Sequence, residues 1–122
     1  MAKNKKNKQN GVHGKLFINY NGSTLICRGR LEFLKAVHRH GSISEAAREM
    51  GYSYRKAWSL AKKTNEAAGC EIICTSSGGS SGGGASLTPA GEKLIELFEK
   101  FLDQNFQLTK GMWDEFKEEF PD

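Results

Sequence analysis

The chain has 122 residues, a formal net charge of +4 at pH 7, and 38% hydrophobic and 26% charged residues. This length and composition predict one soluble domain with a modest core, and no apolar run reaches the roughly 20 residues that a membrane span needs. The N-terminus is basic and lacks the apolar stretch of a secretory signal, so we expect a cytoplasmic protein.

The charge is distributed unevenly along the chain. Residues 1–27 contain five lysines and no acid, residues 28–63 contain nine basic and three acidic residues, and residues 64–122 contain four basic and eleven acidic residues. A basic half on a small domain favours a polyanionic partner such as nucleic acid. A solvated lysine tail beside ordinary helix charges is the alternative, and charge alone does not decide between the two.

The N-terminal part predicts a tail followed by a hairpin. Residues 1–13 are Lys, Asn, Gln and Gly with almost no apolar content, which predicts a disordered basic tail before a domain that spans residues 14–122. Two β-prone runs, 15–20 and 23–27, then flank Asn21-Gly22. Asn-Gly between such runs is a strong hairpin signal, because both residues tolerate positive φ.

Two helices are predicted next. Apolar residues recur at helical spacing over residues 28–40, and Gly41 predicts the end of that helix. A short second helix follows, capped by Ser42 or by Ser44, and Gly51 predicts the tight turn at its end.

A third helix is predicted from the cap Ser53 to about Ala68, ending at Gly69. Its inward positions are small residues, and its outward positions carry hydrogen-bond donors. Trp58 lies between the two faces, where a tryptophan more often belongs to the core than to a contact surface. The outward donors are Tyr54, Arg55, Lys56, Ser59 and Lys62.

A glycine-rich segment follows the third helix. Residues 71–75 predict a strand, residues 76–86 contain five glycines and five serines, and Leu87 resumes a short strand. No Lys-Ser or Lys-Thr pair follows the glycines, so the pattern of a nucleotide-binding P-loop fails. The order favours a winged helix-turn-helix, a mainly α fold with small β elements, in which one helix enters a DNA groove and a loop lies beside it.

This arrangement gives the outward donors a chemical role. Arg55 and Lys56 suit guanine or phosphate, and Tyr54 and Ser59 suit base edges or phosphates. As a wing, the loop would contact the sugar-phosphate backbone through backbone N–H groups and serine hydroxyls, including the N–H groups of Gly82 and Gly83. A disordered loop that makes no contact is the alternative. Backbone clamps from the preceding helices are also expected, at Arg28, Arg30 and Arg48.

A fourth helix is predicted from the cap Thr88, with Pro89 at its first position, to about Leu108. Gly111 is expected to break it, and residues 112–120 are expected to form a further short amphipathic stretch. The apolar stripe of the fourth helix and the last aromatic residues exceed what a small core can hide, which predicts a homodimer. Those aromatic residues are Trp113, Phe116 and Phe120.

We expect neither an enzyme nor a cofactor or metal site. The three cysteines imply no disulfide framework, and no serine, cysteine and histidine combine in a recognisable nucleophile motif. Cys70 and Cys74 fall in the predicted third strand and are expected to be buried structural thiols, because Cys-x3-Cys alone is a weak metal signal. A thiol or metal switch at this pair is the alternative.

Several of these motifs together resemble a known family. They are the run from Gly41 to Trp58, Asn65, the glycine segment 78–85 and Leu87-Thr88-Pro89-x-Gly91. The resemblance is to the DNA-binding domain of the molybdate-responsive ModE regulators, within the LysR-type winged helix-turn-helix group, and it covers roughly residues 14–108.

The resemblance implies a transcription regulator that binds palindromic double-stranded DNA as a homodimer, paired partly through the long helix from Pro89. It also implies that the third helix is the recognition helix, with Ser53, Tyr54, Arg55 and Ser59 as contacts.

The chain departs from the family in two respects. Full-length members add C-terminal β domains that bind molybdate, whereas no second β-rich region follows here, so we expect a standalone regulator without molybdate binding. The family's wing tip often carries a basic residue, where this chain has Ser80 and Ser81. The alternative function is a protein-interaction module on a winged-helix scaffold, with the acidic half as its interface.

Overall fold

The computed structural model describes residues 8–76 and 84–122. Most of the predicted tail and the tip of the glycine-rich loop, including Gly82 and Gly83, lie outside these residues. In chain order the elements are β1 (Phe17–Tyr20), β2 (Ser23–Cys27), α1 (Arg28–His40), α2 (Ile43–Met50), α3 (Tyr54–Ala68), β3 (Ile73–Ser76), β4 (Gly84–Leu87) and α4 (Pro89–Glu119).

The N-terminal hairpin forms as predicted. Strands β1 and β2 pair antiparallel, and the turn residues Asn21 and Gly22 have φ of 53° and 81°. Two consecutive left-handed residues are the signature of the hairpin turn that matches strand twist. The Asn21 side-chain amide also donates to the carbonyl of Ala67 at 2.9 Å, which ties the hairpin to the end of α3.

Local sequence signals set the ends of the first three helices. Gly41 and Gly51 adopt left-handed conformations, with φ of 65° and 72°, and they end α1 and α2 as predicted. The hydroxyl of Ser42 accepts from the backbone N–H of Glu45 at 3.1 Å, so Ser42 rather than Ser44 caps α2.

The core lies where α1 meets α2 and α3. Large side chains of α1 fill its centre, and small residues on α2 and α3 allow these helices to approach closely. The fully buried large residues of α1 are Phe33, Leu34 and Val37. The buried small residues that face them are Ala46, Ala47, Ala57 and Ala61.

The second sheet is a short antiparallel ladder attached to the helices. Ile73 of β3 pairs with Leu87 of β4. The backbone N–H of Ala85 donates to the carbonyl of Gly41 at 2.9 Å, which fastens β4 to the link between α1 and α2. A hairpin, three helices, a second two-stranded sheet and a long final helix make up a winged helix-turn-helix.

Helix α4 is one continuous helix of 31 residues. Its hydroxyl cap is Thr88, which accepts from the N–H of Gly91 at 3.1 Å, and Pro89 is its first residue. The predicted break at Gly111 is therefore wrong. A single interior glycine costs only about 1 kcal/mol, and the strong helix formers on both sides carry the helix through it.

The expectation of buried thiols is also wrong, because Cys70 and Cys74 are both exposed. Cys70 lies in the turn after α3 and not on a strand. Cys74 is on β3 and follows the buried Ile73, so the alternation of side chains along a strand turns it outward.

Within residues 8–76 and 84–122, no helix has both the length and the apolar character needed to cross a membrane.

Candidate nucleic-acid interface

Helix α3 has an inner face of small residues and an outer face of donors. Ala57, Ala61, Thr64 and Ala67 are buried, and the Thr64 hydroxyl donates to the carbonyl of Leu60 at 2.7 Å, so this polar group is satisfied inside the core. The donors predicted to face outward lie there: Tyr54, Arg55, Lys56 and Lys62 are exposed, and Ser59 is half-buried.

The first turn of α3 is held in place by its cap. The Ser53 hydroxyl accepts from the backbone N–H of Lys56 at 3.0 Å. The Lys56 ammonium lies 4.2 Å from the centre of the Tyr52 ring, where the negative face of the ring attracts it. The N-terminal end of α3, which carries the positive end of the helix dipole, is therefore a capped helix start with donors beside it.

The cationic side chains of α3 differ from those elsewhere in their pairing. In the described parts of the chain, none of them forms an ion pair, whereas most cations of α1, α2 and α4 do. The four unpaired cations of α3 are Arg55, Lys56, Lys62 and Lys63. Their charge is therefore available to an external anion.

Two aromatic residues lie among these cations. Tyr54 is 57% exposed and Trp58 is 39% exposed, and their rings meet edge-to-face with centroids 6.1 Å apart. Spacing alone leaves Trp58 between the two faces; in the structure it lies on the outer face and not in the core that tryptophan usually prefers, because the close approach of α3 to the core leaves room for alanine and not for an indole. Only the tertiary packing, and no spacing in the sequence, places Trp58 on the outer face.

A groove of about 430 Å³ runs between α3 and β3. Trp58, Ser59 and Lys62 line it on the helix side, and Thr75 lines it on the strand side. Asn65 closes it: its side-chain oxygen accepts from the backbone N–H groups of Ile72 and Ile73 at 2.8 and 3.0 Å, and its amide donates to the Ile73 carbonyl at 3.0 Å. Asn65 thereby fixes the second sheet relative to α3.

Arg30 lies apart from this surface. Its guanidinium donates to the carbonyl oxygens of Thr24 and Leu25, so the N-terminal hairpin holds it. Gly82 and Gly83 fall outside the described residues. The structure therefore brings together the α3 residues of the predicted set, and a DNA contact by any member of the set stays a prediction.

A charged cluster at the surface links the end of α1 to α2. Glu49 accepts from His40 at 2.7 Å and also pairs with Arg39. The hydrogen bond from His40 and the neighbouring Arg39 guanidinium hold the pKa of Glu49 below its ordinary value. In the same way, the hydrogen bond and charge of Glu99 on α4 raise the pKa of Lys35 on α1.

No three His, Cys, Asp or Glu side chains of the described residues are grouped so that they could hold a metal ion.

Comparison with known proteins agrees with the fold. Residues 29–92, just over half of the chain, match the model of the bacterial regulatory helix-turn-helix proteins of the lysR family. The molybdenum-pterin-binding protein MopB of Rhodobacter capsulatus is 48% identical over 69 residues, which are 57% of this chain and 26% of MopB. The DNA-binding transcriptional dual regulator ModE of Escherichia coli K12 is 37% identical over 70 residues, which are 57% of this chain and 27% of ModE.

The chain thus matches about a quarter of the length of each of these relatives. The family match contains α2, the turn at Gly51, α3 and the second sheet, which together make up the surface described above. This chain therefore belongs to the lysR family of bacterial regulatory helix-turn-helix proteins, a family of DNA-binding regulators of transcription.

Proposed function

We propose that this chain is a sequence-specific DNA-binding unit that acts as a homodimer, with α3 in the major groove. The observation that supports this most directly is the set of unpaired cations on the outer face of α3. Duplex DNA carries one negative charge per about 1.7 Å of its axis, so it is a natural counterpart for a row of cations on a helix.

The geometry of α3 suits base contacts as well as phosphate contacts. Arg55 and Tyr54 lie in its first turn, at the end that recognition helices present to base edges. Arginine can bond guanine O6 and N7 together, and the exposed ring of Trp58 offers an apolar surface of the kind that contacts thymine methyl groups. Lys62 lies further along and is assigned to phosphate.

The homodimer is supported by the uncovered face of α4. Five apolar side chains in its C-terminal half and at the residue that follows it are exposed in a single copy of the chain: Phe106, Leu108, Met112, Phe116 and Phe120. A soluble protein rarely leaves so large an apolar surface in water. Two-fold pairing would also present two copies of α3 to two half-sites. Sedimentation at micromolar concentration should therefore give the mass of a dimer.

Selection of bound duplexes from a random pool tests the whole proposal. We expect enrichment of a palindrome whose half-sites are separated by one helical turn, about 10 base pairs, or by a multiple of it. Absence of any enriched sequence would instead favour the protein-interaction alternative, which the family match does not favour.

A variant then tests the position of α3. Arg55→Ala should weaken binding to the selected site by about 1–3 kcal/mol and relax preference at one position of each half-site. Lys93→Ala, on α4, removes the same charge and should leave both unchanged. The molybdenum in the names of the relatives is a property of those proteins, and the proposal for this chain is limited to DNA.

A further inference from the structure

The N-terminal segment of the described chain lies against the middle of α4. Residues 9–14 line a cavity of about 400 Å³ together with residues of α4 between Leu102 and Trp113. In the adjoining cavity, beside residues 14–17, the lining residues of α4 are Leu102 and Asn105. Followed backward from Gly14, the chain therefore runs toward the C-terminal half of α4.

Residues 9–13 form a turn at this position. The ring Nε2 of His13 donates to the carbonyl of Gln9 at 3.0 Å, and Gly11 has a φ of 149°, which glycine adopts more readily than other residues. Gly11 and Val12 are half-buried, while the residues on either side of them are exposed. The segment that precedes the turn therefore starts beside α4.

The segment that precedes the turn is strongly basic. Residues 1–8, called here the lysine segment, contain no acid and four lysines: Lys3, Lys5, Lys6 and Lys8. The side chains of this segment thus carry a charge of +4 on eight residues. At physiological salt such a charge attracts anionic groups that lie within about 8 Å, the Debye length. The anionic groups nearest to its point of attachment therefore decide where the segment binds.

The nearest anionic surface is the C-terminal end of α4. Residues 110–122, called here the acidic end, contain two lysines and five acids, a net charge of −3. Lys110 already pairs with Asp114 at 3.7 Å. Lys117 pairs with Asp122 at 2.7 Å and also lies over the Trp113 ring. Three carboxylates remain that are exposed and pair with no described residue: Glu115, Glu118 and Glu119.

The lysine segment is long enough to cover the acidic end. Eight extended residues span at most about 26 Å, at about 3.3 Å per residue. Along the helix, Trp113 and Glu119 are only about 9 Å apart, at a rise of about 1.5 Å per residue. Because the segment is attached beside Trp113, these carboxylates face its lysines at an effective concentration on the order of millimolar. Any external anion has to compete with this internal one.

We infer that the lysine segment docks on the acidic end of α4 in its own chain, where its ammonium groups lie beside Glu115, Glu118 and Glu119. A single exposed contact between lysine and glutamate is weak, and the tether and the number of lysines make the docking persist. The chain thereby neutralises its own basic N-terminus and withholds it from a DNA duplex. The contact itself is independent of the proposed function, whereas its consequence for DNA binding rests on that function.

Zero-length crosslinking tests the contact directly. A carbodiimide reagent joins a lysine amine to a carboxylate only where the two groups touch. With the full chain at low salt, we expect peptide mapping by mass spectrometry to find amide links from the lysine segment to Glu115, Glu118 or Glu119. At about 1 M salt, where the Debye length falls to about 3 Å, these links should decrease by about fivefold or more. Glu92, at the opposite end of α4, is the internal control and should give few links at either salt concentration.

Four chains test the consequence for the duplex that selection identifies. They are the wild type, a serine variant, a glutamine variant and their combination. The serine variant carries Lys3→Ser, Lys5→Ser, Lys6→Ser and Lys8→Ser, and the glutamine variant carries Glu115→Gln, Glu118→Gln and Glu119→Gln.

The glutamine variant should bind the duplex about tenfold more tightly than the wild type, because the released lysines neutralise phosphates. The serine substitutions should change the affinity of the wild type by less than about twofold and should weaken the glutamine variant by about tenfold.

The outcomes separate the docking from the proposed function. Links to Glu92 as frequent as those to the acidic end, or links that mostly join different chains in a mixture of isotope-labelled and unlabelled protein, would overturn the docking. An equal loss of affinity on serine substitution in both backgrounds would show that the lysine segment already contacts the duplex, and would overturn its withholding. If the selection enriches no duplex, the proposed function fails, while the crosslinks still decide whether the segment docks.

Discussion

Asn65 joins α3 to the backbone at the start of the second sheet through its side chain. Its side chain makes three hydrogen bonds to the backbone of Ile72 and Ile73, and both isoleucines are buried. Asn65→Ala would leave buried N–H groups without acceptors, so we expect the free energy of unfolding to fall by about 1–3 kcal/mol. Urea denaturation measures this change.

Lys63→Ala, on the exposed side of the same helix, is the control for the asparagine variant. It removes a side chain that has no hydrogen-bond or ion-pair partner among the described residues and should change stability by less than about 0.5 kcal/mol. Equal losses in the two variants would show that the three bonds contribute little beyond helix propensity.

The residues whose roles are predictable from the sequence are those that form caps and turns, because these roles depend only on neighbouring residues. Ser53 caps α3 and Gly51 turns the chain because their own backbone and side-chain chemistry decides these roles. The face of Trp58 could not be assigned from spacing, since its position depends on how closely α3 approaches the core. The three hydrogen bonds of Asn65 join α3 to the backbone of Ile72 and Ile73. Neither the spacing of residues in the sequence nor the presence of an asparagine predicts this contact.

At the scale of elements, two glycines of α4 should respond oppositely to alanine. A Cβ on Gly91 would lie 2.5 Å from the Ile72 carbonyl oxygen and 3.3 Å from the Leu87 Cβ, whereas a Cβ on Gly111 would meet nothing within 4 Å. Gly91→Ala should therefore lower the free energy of unfolding by about 1–3 kcal/mol, and Gly111→Ala should raise it by about 0.5–1 kcal/mol.

Thermal or urea unfolding of the two variants checks this pair. A destabilised Gly111→Ala would mean that the helix needs flexibility at that point, as the predicted break implied. The elements themselves were largely predictable from periodicity and caps, and α4 was the exception. Its continuity is favoured by the helix formers on both sides of Gly111, which outweigh the cost of about 1 kcal/mol for one interior glycine.

The cluster at Glu49 makes the α1–α2 packing depend on pH. Because His40 and Arg39 lower the pKa of Glu49 in the folded protein, the contribution of this carboxylate to stability is present above its unfolded pKa. It is lost as pH falls through the lower folded pKa. We therefore expect Glu49→Gln to lower the melting temperature at neutral pH and to make no difference in strong acid.

Melting temperatures measured between neutral and strongly acidic pH test whether the stabilisation by Glu49 is lost as pH falls. Glu66→Gln, on the exposed side of α3, is the control and should follow the wild-type profile, since Glu66 pairs with no described residue. A difference between Glu49→Gln and wild type that grows as pH falls would contradict the assignment.

The whole molecule has a basic part and an acidic part. This uneven distribution of charge should orient the protein relative to a DNA duplex. Residues 28–63 carry nine basic and three acidic residues, and residues 64–122 carry four basic and eleven acidic ones. Three of the four cations of α4 pair with carboxylates of that helix or of the residues just after it, while those of α3 pair with no described carboxylate. Electrostatic attraction should thus turn α3 toward a duplex and α4 away from it.

This asymmetry predicts that the salt dependence of DNA binding is set by where the cations lie on the protein and not by its net charge. The logarithm of the binding constant should fall linearly with the logarithm of salt concentration, because each neutralised phosphate releases counterions. Lys62→Ala should reduce that slope by about 1 per copy of the chain. Lys93→Ala, which removes the same charge from α4, should leave it unchanged. An equal reduction of the slope in both variants would mean that binding depends on the total charge of the protein. Lys62 would then make no specific contact with a phosphate.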